Sequence, residues 1–317
     1  MEITLLEKDT LTNGDLDFSP LEKIAEVNYY KTMPRKDLFG IVKNSEYIIC
    51  NKTVFDKEMF DFCPKLKYIG LCATGFNNID LNEANERGIT VCNVPGYSTD
   101  SVAQLTFTFL LALASNITKY DGAVKNGDWI SSSTFSYFPY VFTEIKGKTL
   151  GIIGYGNIGR AVAAIAKAFG MKVLVSTRTP KNNNGIIYAP REELFKKSDF
   201  ITLHCPLSAG TKGLICKNTL SLMKPTAFLI NTSRGGAVVE SDLYDALKNG
   251  VIAGAGLDVL NCEPMDKNNP LRNLKNCIVT PHIAWTSKEA RTRLISVVAE
   301  NLENYIKGSP VNTVNEK

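Results

Sequence analysis

The chain has only two histidines, His204 and His282. His282 lies in TPHIAW, just past an apolar run, and two other polar groups stand at comparable positions: Arg234 in INTSRGG and Glu263 in GLDVLNCEP. A guanidinium, an imidazole and a carboxylate are what reduction of a 2-oxo acid requires. The cation pairs the substrate carboxylate, and the imidazole gives a proton to the carbonyl oxygen as it becomes anionic. A carboxylate beside that imidazole favours its protonated form. Arg234, Glu263 and His282 are therefore the expected catalytic residues, although each taken singly also reads as ordinary turn or strand-end chemistry. His204, in LHCPL, reads instead as a strand-end residue beside a cofactor, with Cys205 and Pro206 in contact with it.

A cofactor is expected because Gly154, Gly156 and Gly159 complete a GxGxxG pattern between the apolar run LGII and an alanine-rich stretch. In that context the first glycine allows a tight turn, the second lets the backbone approach a pyrophosphate, and the third lets the helix pack on its strand. Tyr155, Asn157 and Ile158 fall within the same loop. Further cofactor contacts are expected at Thr177 and Arg178, at Cys205, Pro206 and Thr211, at Thr232 and Ser233, and at Asp258. No Asp or Glu occurs from Arg160 through Pro190, where a carboxylate would hold the ribose 2′-hydroxyl of NAD. Ser176, Thr177 and Arg178, with Lys181 behind, suit a 2′-phosphate, so the cofactor is read as NAD(P)H with NADPH favoured over NADH. A solvated Arg178 and acceptance of either dinucleotide stay open as the alternative.

These groups have to be positioned by regular elements. The first hundred residues alternate short β-rich runs (EITLLE, NYYKT, EYIIC, LKYIGLC) with amphipathic stretches (SPLEKIAEV, a segment opened by Pro34, DKEMFDFCP), which predicts a small parallel α/β unit. STDSVAQLTFTFLLALASNI predicts a long helix buried on most sides, capped by Ser98, Thr99 or Asp100, and read as a strut between domains. From Thr149 a second alternation runs through FITLHCP, TAFLINTS, VIAGAGLDVL and CIVTPHIA and predicts a doubly wound sheet, with the polar groups at the C-terminal ends of its strands. SKEARTRLISVVAENLENYIKG closes the chain as a helix stopped at Gly308 and Pro310.

Composition excludes several classes. At 317 residues the chain is long enough for two domains, and a formal charge of +4 interspersed with carboxylates gives no reason to expect a nucleic-acid or membrane partner. The start, MEITLLEKDT, lacks the basic and apolar regions of an export signal, and the longest apolar stretch is about half of what spans a bilayer. Eight scattered cysteines without a CxxC pair read as reduced thiols in a cytoplasmic protein with no metal.

Taken in order, CATGFNNID, NVPGYSTDSVAQ, GIIGYGNIGR, LHCPL, NTSRGG, GLDV with EP, and PHIAW resemble the D-isomer-specific 2-hydroxyacid dehydrogenase family along nearly the whole chain. NVPGYSTDSVAQ and PHIAW look most like its glycerate dehydrogenases, also called hydroxypyruvate reductases. The resemblance implies two doubly wound α/β domains with the active site between them: a flavodoxin-like substrate-binding domain from residues 1–100 and 285–317, and a central Rossmann dinucleotide-binding domain, 101–284. It implies substrate contacts at the backbone amides of Thr74 and Gly75, at Arg234 and at Trp285, and a homodimer with the long helix and its neighbours at the interface. Leu105 stands where many relatives have histidine, and Leu260 and Asn261 where aromatic and acidic residues are usual. The activity implied is hydride transfer between NAD(P)H and a small 2-oxo acid, hydroxypyruvate or glyoxylate. The alternative is a dinucleotide-sensing binding protein, similar to the corepressors related to this family.

Overall fold

The computed structural model describes residues 1–180 and 186–315; Lys181 lies outside them. The chain divides into two compact units, Met1–Ser98 with Thr286–Lys317, and Thr99–Trp285.

The first unit is built on five parallel strands: β1 (Glu2–Leu5), β2 (Glu26–Tyr29), β3 (Tyr47–Cys50), β4 (Tyr68–Leu71) and β5 (Thr90–Cys92). Their order is β2-β1-β3-β4-β5, the flavodoxin-like arrangement. Parallel strands need crossovers on the sheet faces, which explains why β4 is buried throughout and shows no polar alternation. The helix Lys288–Ile306 opens on Ser287, whose hydroxyl accepts from the Ala290 amide, and packs on the same unit. It stops before Gly308, at φ 78°, as the stop signals predict.

The second unit holds seven parallel strands: β6 (Thr149–Ile153), β7 (Lys172–Ser176), β8 (Ile187–Tyr188), β9 (Phe200–Leu203), β10 (Phe228–Asn231), β11 (Gly254–Leu257) and β12 (Cys277–Val279). Their order is β12-β11-β10-β9-β6-β7-β8. Read outward from β6 this is the Rossmann order, reversing between β6 and β9, where such sheets bind ligands.

The long helix forms over Thr99–Ser115 and belongs to the second unit. Val102, Ala103, Thr106, Phe107, Phe109, Leu110, Leu113 and Ala114 are buried, against the helix Asn157–Ala168 and strands β10 and β11. Among the described residues no single helix is long and apolar enough to cross a membrane.

This helix presses on Gly256 of β11: a Cβ there would lie 2.7–2.9 Å from the Phe109 side chain. Overpacking of this kind costs roughly 1–3 kcal/mol. Gly256→Ala is expected to lower the thermal unfolding midpoint by several degrees, read by circular dichroism; an unchanged midpoint would show that the helix can shift at no cost.

Candidate active site

The polar islands follow neighbouring strands. β10 ends at Asn231, which is fully buried, and its side chain organises the next turn: Oδ1 accepts from the Ser233 amide (3.0 Å) and hydroxyl (2.8 Å), and Nδ2 donates to the Arg234 carbonyl (2.9 Å). Arg234 is left exposed, with Nη1 donating to the Ser233 carbonyl at 2.7 Å. The next residue must be glycine. A Cβ at Gly235 would lie 2.0 Å from the Leu260 carbonyl atoms and 2.6 Å from the Asn261 amide, so the turn carrying Arg234 abuts the loop carrying Glu263.

Glu263 connects that loop to the histidine. Its Oε1 accepts from the Leu260 amide at 2.9 Å, and Oε2 lies 2.6 Å from His282 Nδ1. An ionised carboxylate only accepts, so Nδ1 carries a hydrogen and Nε2 is left to exchange a proton. The two side chains are 37% and 28% exposed, open enough to meet a small molecule.

His282 has φ 55°, unusual for a residue with a side chain. Its amide donates to the carbonyls of Asp258 (2.8 Å) and Thr280 (3.0 Å). The Asp258 carboxylate brackets it, accepting from the Thr280 hydroxyl (2.6 Å) and from the amides of Ile283 and Ala284 (both 2.8 Å). Burial pushes the Asp258 carboxyl up, and the Thr280 hydroxyl and the two amides pull it back.

His204 is a different kind of group. Its Nε2 lies 2.5 Å from the Thr202 hydroxyl, and Nδ1 is sealed from solvent with no hydrogen-bond partner among the described residues. Burial drives its pKa down to about 3, so it is neutral near physiological pH and cannot supply a proton there. Part of the residue remains accessible, but the ring nitrogens decide its chemistry.

At the switch point the turn after β6 meets the end of β9. Gly154 has φ 95°, and a Cβ there would lie 2.5 Å from the His204 carbonyl oxygen. A Cβ at Gly159 would lie 2.3 Å from the Gly154 carbonyl oxygen, which fixes the helix Asn157–Ala168 directly on the turn. Gly156 shows the opposite: nothing stands within 4 Å of the place where its Cβ would be. A helix N-terminus with open space before its second glycine fits a dinucleotide pyrophosphate. Tyr155, Ile158 and Cys205 are half-buried here, and Asn157 and Pro206 are exposed. Thr177 is half-buried and Arg178 exposed just beyond β7.

Several expected cofactor contacts have their side-chain oxygens committed within the protein. The Thr211 hydroxyl donates to the Pro206 carbonyl, Thr232 bonds to the Thr106 hydroxyl, and Ser233 and Asp258 are engaged as described. Trp285 is half-buried at the end of the second unit. In the first unit, Thr74 follows β4; its hydroxyl donates to the Val94 carbonyl (2.8 Å) and its carbonyl accepts from Asn93 Nδ2 (2.7 Å). Among the described residues the amides of Thr74 and Gly75 have no acceptor, so they are available to an anion. The sequence reading missed Asn231, whose only signal is a polar residue ending an apolar strand, and Thr280, which none marks.

The family model described as D-isomer specific 2-hydroxyacid dehydrogenase, NAD binding domain, matches residues 107–284. The chain is 41% identical over 322 residues to a hydroxypyruvate reductase of Blautia hydrogenotrophica, covering 100% of both chains. It is 44% identical over 307 residues to a glyoxylate reductase of Thermococcus litoralis, covering 93% of this chain and 92% of the relative. Among solved structures, an acyclic imino acid reductase in complex with NADPH and D-Arg superimposes with a TM-score of 0.88 at 36% identity, covering 99% of this chain and 100% of that one. With two parallel α/β units, a glycine turn at the switch point and a bonded histidine–glutamate pair in the loops after β11 and β12 of the same sheet, the chain belongs to the D-isomer-specific 2-hydroxyacid dehydrogenase family.

Proposed function

We propose that the protein reduces a small 2-oxo acid, hydroxypyruvate first and glyoxylate second, with a nicotinamide dinucleotide as hydride donor. The observation that carries this reading is the 2.6 Å contact between His282 Nδ1 and Glu263 Oε2, together with the burial that leaves His204 neutral. The substrates named for the relatives at 41% and 44% identity support the choice of acid.

When bound at the Gly154–Gly159 turn, the dinucleotide supplies the hydride. The protein's own residues do the rest. Arg234 pairs the substrate carboxylate and orients the carbonyl. His282 holds a proton on Nε2 and gives it to the carbonyl oxygen as negative charge develops there. Glu263 fixes the ring through Nδ1 and offsets the positive charge of the protonated imidazole. Trp285 borders the substrate, and Tyr155, Cys205, Pro206 and the backbone of residues 232–233 border the dinucleotide.

NADPH is favoured over NADH. The support is the exposed Arg178 beyond β7, the absence of any carboxylate between Arg160 and Pro190, and the NADPH bound to the imino acid reductase. The working assembly is a homodimer. After the helix Ile117–Lys125 the chain exposes Ile130 (88%), Phe135 (94%), Phe138 (77%), Val141 (79%) and Phe142 (72%), a density of apolar surface that a second copy would cover.

Three measurements test these statements. His282→Ala is expected to lose about 10²–10⁴-fold in kcat with the dinucleotide Kd unchanged; full activity would remove the imidazole from the mechanism. Arg178→Ala is expected to weaken NADPH about 10-fold or more, as loss of a charged hydrogen bond does, and NADH little; equal losses in titrations of both dinucleotides would mean that no 2′-phosphate is held there. The double variant Phe135→Ser with Phe138→Ser should sediment as a monomer where the parent sediments as a dimer, and an unchanged sedimentation coefficient would place the interface elsewhere.

A further inference from the structure

The loop that carries Glu263 has no regular backbone pairing of its own, yet Glu263 must meet His282 within a few tenths of an ångström. What holds it is a wall formed by residues 235–240. Glu240 begins the helix Glu240–Lys248, and its carboxylate accepts from two places in the loop: Oε1 from the Asn261 amide at 2.6 Å, and Oε2 from Asn269 Nδ2 at 2.8 Å. Asn261 adds a third tie through Nδ2, which donates to the Val238 carbonyl at 3.1 Å. Asn269 also caps the short turn Pro270–Asn273, its Oδ1 accepting from the Leu271 amide. The loop is thus pinned two residues before Glu263 and six residues after it.

We infer that Glu240, acting with Asn261 and Asn269, is the positioning group that keeps Glu263 in register with His282. The inference rests on the proposed roles of Glu263 and His282. A carboxylate at position 261 could not donate to the Val238 carbonyl as the Asn261 side-chain amide does. None of the three residues bonds to His282 in the structure. Their effect passes through Leu260, whose carbonyl abuts Gly235, whose neighbour Asn261 is tied to Glu240, and whose own amide donates to Glu263 Oε1. Loosening the clip leaves Arg234 and the glycine turn in place and lets Glu263 drift from Nδ1, so the proton-transfer step suffers and binding does not.

The test compares Asn261→Ala and Asn269→Ala, which change no charge, with Glu240→Ala and the reference variant Glu263→Gln, using hydroxypyruvate and the preferred dinucleotide. A lost hydrogen bond of about 1 kcal/mol corresponds to about 5-fold in rate. Each asparagine variant should therefore lose about 5-fold in kcat and Glu240→Ala about 25-fold, with KM for hydroxypyruvate and Kd for the dinucleotide within about 2-fold of the parent. Rates are normalised to dinucleotide-binding sites, so partial unfolding does not count as loss of kcat. A lowered melting temperature with normal kcat per site, or a rise in KM alone, overturns the inference. If Glu263→Gln loses kcat and the clip variants do not, the clip alone is wrong; if Glu263→Gln keeps kcat, the catalytic reading beneath it is wrong.

Discussion

Asp258 sits just past β11 with its carboxylate buried, and its oxygens bond on both sides of His282: to the Thr280 hydroxyl before it and to the Ile283 and Ala284 amides after it. The Asp258 carbonyl takes the His282 amide as well. Such a bracket is needed because a residue bearing a side chain at φ 55° costs on the order of 1 kcal/mol or more and persists only where its surroundings over-determine it. The left-handed turn is what sets the imidazole against Glu263 while leaving the pair partly open. Without the bracket the backbone would relax to an ordinary conformation and carry the ring away from its partner.

The two carboxylates near His282 therefore do separate jobs, and their burial separates them. Asp258 is 1% exposed and spends its oxygens on the main chain. Glu263 is 37% exposed and spends one oxygen on its own loop and the other on the ring. A parallel sheet makes this division workable. Its strand ends lie side by side, so loops after β10, β11 and β12 meet without any long connection, and the close approach of Gly235 to Leu260 brings two of them into van der Waals contact.

Backbone constraints were legible in the sequence and side-chain allegiances were not. The spacing of Gly154, Gly156 and Gly159 marks a turn that only glycine can make and a helix that only glycine lets approach, and the structure has both. The apolar runs announced the strands for the same reason: strands covered on both faces cannot alternate. The strand Thr90–Cys92 and the two-residue strand Ile187–Tyr188 escaped because they are too short to carry a pattern. Asn231 and Glu240 escaped because their partners depend on how loops meet: Glu240 bonds to residues 21 and 29 positions away. The aromatic cluster in FSYFPYVF was visible as letters, but only exposure turns it into a surface.

The histidines show where such reading stops. Both stand at strand ends, next to cysteine or proline, and the sequence sets His282 apart only through the distant Arg234 and Glu263, not through its immediate neighbours. Their surroundings in the fold separate them: one ring is buried with an unpaired nitrogen and kept neutral, while the other is paired to a carboxylate and partly open. Thr211, Thr232, Ser233 and Asp258 follow the same logic. Each stands where a ligand contact is expected, and each also has its oxygen hydrogen-bonded within the protein. The carboxyl edge of a parallel sheet creates this ambiguity, because loops there leave the ladder and their backbone groups must be satisfied by polar side chains. Polar residues at strand ends thus hold the site's shape or touch its ligand, and only the hydrogen-bond pattern of the folded chain separates the two.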